Sequence, residues 1–220
     1  MNVLFDLDGT LTDPKEGIVA CFRHALDSLG VNPPPAGGLE RLIGPPLVES
    51  FSNLLGPGAK DRVEQAVRLY RERFAARGLF ENSVYPGIVD ALAELCDHGG
   101  QLFLATSKPR VFADRIVEYF GLARFFRAVY GSELNGVNTD KKDLLAHLLR
   151  AESLSPEITV MVGDRAHDVL GARANRLFSI GVLWGYGSKE ELVSAGADAL
   201  CVEPRALGDT LALVGRPTAC

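Results

Sequence analysis

Asp6 and Asp8 flank Leu7 in the stretch Asn2-Val3-Leu4-Phe5-Asp6-Leu7-Asp8-Gly9-Thr10-Leu11-Thr12-Asp13. Alternate residues of a strand share a face, so both carboxylates can lean toward one ligand at the strand's carboxyl end. Two acids so close repel each other, and a divalent cation or a shared proton relieves the repulsion. Three further stretches carry groups suited to the same ligand. Ala105-Thr106-Ser107-Lys108-Pro109 places hydroxyls and free backbone N–H groups at a strand-to-helix junction, where they can cradle an anion or merely cap the helix. Thr139-Asp140-Lys141-Lys142 opens a helix with two lysines. Lys141, or Lys142 in its place, can supply the positive charge that lets a phosphate sit beside Asp6, and either can be a plain surface charge. Gly163-Asp164-Arg165-Ala166-His167-Asp168 spaces two acids four apart at a helix start, where they can face one side and suit the helix dipole, or cap the helix. His167 would point away from that side and is read as structural. The chemistry this set describes is the handling of a phosphate beside paired carboxylates.

Such groups meet only if the elements beneath them converge. Val3, Leu4 and Phe5 form an apolar run suited to a strand buried on both faces, ended by the turn at Gly9. From Pro14 to Asn82 the pattern is helical. Ile18, Phe22, Ala25, Leu26 and Leu29 recur at helical spacing, and Pro33-Pro34-Pro35 and Gly44-Pro45-Pro46 break the chain. Val63, Ala66, Val67, Tyr70 and Phe74 then form a stripe, with Arg62, Arg68, Arg71, Arg73 and Arg77 mostly off it and expected in solvent. After Tyr85-Pro86-Gly87 helices and strands alternate. Strands are expected at 101–105, 128–130, 158–162, 179–183 and 199–202, and helices at 88–98, 111–120, 141–150, 165–174, 190–195 and 205–214. This alternation predicts an α/β fold: a Rossmann-like parallel sheet with helices on both faces, the Asp6 strand central, and a small all-helical domain inserted after the first strand. The domains divide as 1–13 with 84–220, and 14–83.

With 220 residues the chain can bury a full core. A formal net charge of −5 argues against nucleic-acid or anionic-membrane partners, which need an extended basic face. No apolar run approaches the ~20 residues of a membrane span, and no charged-then-apolar leader precedes the Asp6 strand, so a cytoplasmic location is expected. Cys21, Cys96, Cys201 and Cys220 form no C-x-x-C pair and read as reduced thiols, with Cys220 on a mobile terminus. The histidines show no zinc spacing with them.

Taken together, the four stretches resemble the four motifs of the haloacid dehalogenase-like superfamily, in order: Asp6-Leu7-Asp8-Gly9-Thr10-Leu11, then Thr106, Lys141, and Gly163-Asp164 with Asp168. The resemblance implies a nucleophile at Asp6 and a general acid and base at Asp8. It gives phosphate-binding roles to Thr106, Ser107 and Lys141, and a Mg²⁺ held by Asp6, Asp8 through its main chain, and Asp164, with Asp168 in the outer shell. The helical insertion matches a cap of the type placed between the first and second motifs. Ile43-Gly44-Pro45-Pro46-Leu47 and the 163–187 region look most like phosphoglycolate-phosphatase-like and 5′-nucleotidase-like members, with Arg41 and Gly44 as cap contacts to substrate. The function implied is Mg²⁺-dependent hydrolysis of a small phosphorylated metabolite through an aspartyl-phosphate. A sugar-phosphate mutase keeps the same motifs, and a non-catalytic phosphate-binding module is the remaining alternative. Gly185-Tyr186-Gly187 lacks the spacing of a dinucleotide fingerprint, and Trp184 and Tyr186 border the site or pack in a core or interface. Monomer and homodimer stay equally open.

Overall fold

The computed structural model describes residues 1–35 and 37–214, so the expectation for Cys220 lies outside the described residues. The chain divides into two units, Met1–Leu11 with the chain from Val84 onward, and Thr12–Ser83.

The first unit is built on a six-stranded parallel sheet of β1 (Asn2–Phe5), β4 (Gln101–Pro109), β5 (Phe126–Ser132), β6 (Thr159–Gly163), β7 (Phe178–Val182) and β8 (Ala199–Cys201). Its order is β5-β4-β1-β6-β7-β8, which puts β1 inside the sheet with Asn2 opposite both Gln101 and Thr159. Parallel strands need crossovers, supplied by α4 (Ile88–Asp97), α5 (Arg110–Tyr119), α6 (Lys141–Ala151), α7 (Ala166–Ala174) and α8 (Lys189–Ala195), with α9 (Leu207–Leu211) closing the sequence. Strand alternation sends Leu4, Phe103 and Met161 into one cluster with Leu145, Leu148 and Ala172 of α6 and α7. Val3, Phe5, Leu102, Leu104, Val160 and Val162 point the other way and are equally buried, so both faces are covered. All of these strands therefore end their carboxyl termini on one edge, where Asp6, Thr106 and Asp164 follow β1, lie in β4 and follow β6.

Strand β4 and the last helix depart furthest from expectation. Strand β4 runs on to Pro109 instead of ending at Ala105, with a shift in its pairing to β5 between Thr106 and Pro109. Gly131 of β5 permits that irregularity, because a Cβ there would lie 2.7 Å from the Lys108 carbonyl oxygen. The last helix is also shorter than 205–214: a 3-10 turn at Pro204–Ala206 precedes α9.

The second unit contains α1 (Lys15–Ser28), α2 (Leu47–Leu55) and α3 (Lys60–Arg73), α3 passing into a π-helical turn at Phe74–Gly78. An aromatic core joins its helices, with ring centroids 4.9 Å apart for Phe22 and Phe51, 5.0 Å for Phe22 and Tyr70, and 5.7 Å for Tyr70 and Phe74. Arg73 is not a solvated charge: it makes two hydrogen bonds to Glu81, at 2.7 and 3.0 Å. The short strands β2 (Thr12–Asp13) and β3 (Ser83–Val84) pair where the chain passes between the units. Among the described residues, no helix is long and apolar enough to cross a membrane. Cys21, Cys96 and Cys201 are free thiols.

Candidate active site

Strand β1 ends at Phe5, which puts Asp6 at the carboxyl edge of the sheet, and Gly9, with φ 85°, then turns the chain away. Lys141 reaches the Asp6 carboxylate from the first turn of α6. Its Nζ donates to Asp6 Oδ1 and to the Ala105 carbonyl oxygen, each at 2.8 Å, and forms an ion pair with Asp168 Oδ1 at 2.7 Å. A lysine can be buried this deeply only when so compensated, and its side chain is 1% exposed. Gly171 of α7 makes room for it, since a Cβ there would meet Lys141 Cγ at 2.8 Å. Burial acts to strip the Lys141 proton, but Asp168 and Asp6 outweigh it and hold the ammonium well above its ordinary range.

One lysine does not neutralise two acids equally. Burial raises the Asp6 carboxyl above its ordinary value, Lys141 opposing and Asp168 reinforcing the shift. Asp168 is also penalised by burial, yet Lys141, His167 and the Arg165 N–H together hold it below its ordinary value. Asp168 serves two ends, because its Oδ2 accepts the Arg165 N–H at 3.1 Å and so satisfies the start of α7 while Oδ1 faces Lys141. Capping and electrostatics are here the same carboxylate.

Lys142, by contrast, is exposed, and its N–H is the donor to the Asp140 side chain that caps α6. Thr106 is buried, and its Oγ1 accepts the Lys108 N–H at 3.2 Å, which leaves the hydroxyl proton to donate elsewhere. Ser107 is half-buried; its carbonyl accepts the Ser132 hydroxyl at 2.8 Å. Asp8 forms an ion pair with Lys108, Nζ to Oδ2 2.8 Å, while its Oδ1 is buried with no hydrogen-bond partner. Arg41 lies exposed on the 3-10 turn Glu40–Leu42 of the second unit, and Gly44 carries φ 106° before α2.

His167 corrects the sequence reading. Its ring approaches the site, with Nε2 3.7 Å from Asp168 Oδ1, and one ligand atom each from Asp6, His167 and Asp168 lie within 4.8 Å of one another. The first turn of α7 directs its side chains back toward the strand edge, which a phase counted along the helix did not anticipate.

Asp164 is fully buried, and neither of the partners seen on its carboxylate is a cation: the Tyr186 N–H donates to Oδ2 at 2.8 Å and the Thr10 hydroxyl to Oδ1 at 3.4 Å. Burial, with Asp168 and Asp6 adding to it, pushes its carboxyl well above the ordinary value. Lys141 is taken up by Asp6 and Asp168, so a divalent cation is the fitting counter-charge for the Asp164 side of the cluster. Carboxylate and carbonyl oxygens are hard donors of the kind that Mg²⁺ takes. The shift has a signed consequence. A buried acid whose proton affinity rises on folding destabilises the fold as pH climbs through its ordinary value, and fully above its folded value. In chelator at pH 7 to 8, Asp164→Asn should therefore melt higher than the parent, and the gap should close below pH ~4, the ordinary carboxylate range. Thermal melts across that pH span check it, and a variant melting lower at neutral pH would sink the assignment.

Comparison with known proteins places these residues in context. Residues 3–182 match the family model for haloacid dehalogenase-like hydrolases. The chain is 47% identical over 210 residues to a protein of Pseudomonas aeruginosa named 5′-nucleotidase, covering 96% of this chain and 95% of that one. It is 44% identical over 186 residues to the tyrosine-protein kinase PtkA of Mycobacterium tuberculosis, where the match spans 84% of this chain but only 62% of the relative. Among solved structures, that of a predicted phosphatase from Clostridium acetobutylicum superposes with a TM-score of 0.91 at 40% identity, over 96% of this chain and 97% of that one.

Proposed function

Because the chain belongs to the haloacid dehalogenase-like hydrolase family and is a phosphatase of that family, we propose that it hydrolyses a small phosphomonoester in two steps through a phosphorylated Asp6. The observation that carries this reading is the pairing at one sheet edge of two carboxylates with different partners. Asp6 is held by Lys141, and Asp8 is held through one oxygen by Lys108 while its other oxygen has no hydrogen-bond partner.

Asp6 attacks phosphorus, and the bond from phosphorus to the ester oxygen breaks as that to the Asp6 oxygen forms. Asp8, acting as the general acid, delivers a proton to the departing alkoxide. In the second step Asp8 takes a proton from water, the water oxygen bonds to phosphorus, and the Asp6 carboxylate leaves with phosphate freed. The Thr106 hydroxyl holds a phosphoryl oxygen, and the Lys141 ammonium, bonded to Asp6, offsets the charge that spreads over the phosphoryl group in the transition state. Asp6, Asp164 and the Asp8 main-chain carbonyl would hold Mg²⁺, with Asp168 in the outer shell. When bound, the cation keeps Asp6 ionised and takes up phosphoryl charge.

The substrate is read as a nucleoside 5′-monophosphate or phosphoglycolate. The first is supported by the relative named 5′-nucleotidase, the second by the sequence resemblance. Arg41 and Gly44 are proposed as substrate contacts, and free thiols at Cys21, Cys96 and Cys201 suit a reducing cytoplasm. A relative named as a tyrosine-protein kinase favours a second reading, in which the phosphoryl group on Asp6 passes to an acceptor other than water.

The test is phosphate release from phosphoglycolate, nucleoside 5′-monophosphates and sugar phosphates, with and without Mg²⁺, scored against ester consumed. Metal-dependent release equal to ester loss supports hydrolysis. Ester loss exceeding phosphate release points to transfer, and no turnover of any ester with Mg²⁺, Mn²⁺ or Co²⁺ overturns the reading.

A further inference from the structure

The loop after β7, Trp184-Gly185-Tyr186-Gly187, has no part in the two chemical steps, yet it lies hard against Asp164. A Cβ on Gly185 would fall 2.3 Å from Asp164 Cβ and 2.3 Å from the Gly9 carbonyl oxygen, and a Cβ on Gly187 would fall 1.9 Å from the Asp164 carbonyl oxygen. A Cβ on Gly9 would likewise sit 2.2 Å from Asp164 Oδ2. Three glycines from two loops thus enclose one acidic residue at distances that no side chain tolerates. Within that enclosure the Tyr186 N–H fixes Oδ2 and the Thr10 hydroxyl faces Oδ1. The two loops are tied to each other by a side chain: Trp184 Nε1 donates to the Thr10 carbonyl oxygen at 2.9 Å.

We infer that Trp184 is a positioning residue for the cation: by anchoring the Thr10 carbonyl it holds the β1 turn against the glycine loop, and so fixes the Asp164 carboxylate for a divalent ion. The inference rests on the phosphatase reading of the site. Trp184 does not touch the reacting atoms in this account. Its effect is on where Asp164 stands, and the Thr10 hydroxyl moves with the carbonyl that Trp184 holds. Groups that orient metal ligands in this way typically change cation affinity or activity by about 10- to 100-fold when lost. A merely structural tryptophan would lower stability and leave the affinity of the folded fraction unchanged.

Trp184 is the chain's one tryptophan, which simplifies the experiment. Trp184→Phe keeps an aromatic ring and removes the N–H, and replacing tryptophan throughout with 3-benzothienylalanine removes the N–H alone, should the first variant not fold. Mn²⁺ and Mg²⁺ binding are measured on the full-length protein by calorimetry, with Mn²⁺ electron paramagnetic resonance alongside. The dissociation constant is expected to rise about tenfold or more, and the loss of phosphate release at low Mg²⁺ to be recovered at saturating Mg²⁺. Unchanged cation affinity in the folded variant or analogue, or an activity loss that metal does not restore, would overturn the inference. Failure of the parent itself to bind either ion would instead overturn the reading of the site.

Discussion

Replacing Asp6 with Asn should lower phosphate release by roughly 10⁴-fold or more, because an amide neither attacks phosphorus nor forms the intermediate that water cleaves. The protein should fold normally. Asn has nearly the shape of Asp, Lys141 keeps Asp168 and the Ala105 carbonyl as partners, and burial works against the Asp6 charge that the change removes. Steady-state phosphate release beside a thermal melt separates the two effects. An Asp6→Asn protein retaining a hundredth of parent activity would exclude Asp6 as nucleophile, and a collapse in melting temperature would make the kinetic result unreadable for that role.

Lys141→Met should damage both stability and activity. Methionine fills most of the space, but it leaves the Asp6 and Asp168 carboxylates buried together without their shared cation, a loss of about 3–5 kcal/mol for a broken buried ion pair. The pH dependence carries a sign. The Asp168 carboxyl is depressed by folding, so its contribution in the parent is present above its ordinary value and lost as pH falls through its lower folded value. Lys141 is raised, so its contribution holds throughout neutral pH and fails only in strong alkali, above its folded value. The variant's deficit should therefore be large at pH 8 and shrink as the orphaned acids protonate toward pH 4. Urea denaturation at both ends of that range measures it, with Lys142→Met as the control, expected to stay within about 0.5 kcal/mol of the parent because Lys142 is exposed. Equal deficits in the two variants would contradict the ion pairs described at Lys141.

The parallel sheet, the central place of the Asp6 strand and the edge that carries Asp6, Thr106 and Asp164 were legible because apolar runs of strand length ended in polar residues, a pattern read without tertiary contacts; the order of the other strands was not. The choice between Lys141 and Lys142 was legible too, had helix phase been used. Lys141 shares a stripe with the buried Leu144, Leu145 and Leu148, and Lys142 falls off it. Lys108 was hidden for another reason, since its side chain reaches Asp8 only because β4 runs past Ala105, and the irregular pairing there depends on Gly131 in a different strand. His167 was misplaced because a helix's first turn does not follow the outward phase of its interior. The enclosure of Asp164 by Gly9, Gly185 and Gly187 leaves no periodic trace, being a contact between loops far apart in sequence.

The position of β1 also governs how the molecule is made. Asn2 pairs with Gln101 on one side and Thr159 on the other, so β1 is made before either of its neighbours and has no place in this sheet until much of the chain has followed. The segment Thr12–Ser83, with its own aromatic core, needs no later residue for that core and is free to fold first. Closing the sheet around β1 is then a long-range, entropically slow event. The Lys141–Asp6 pair forms only with it, which makes acquisition of the charge cluster a late step and a sensitive reporter of complete folding.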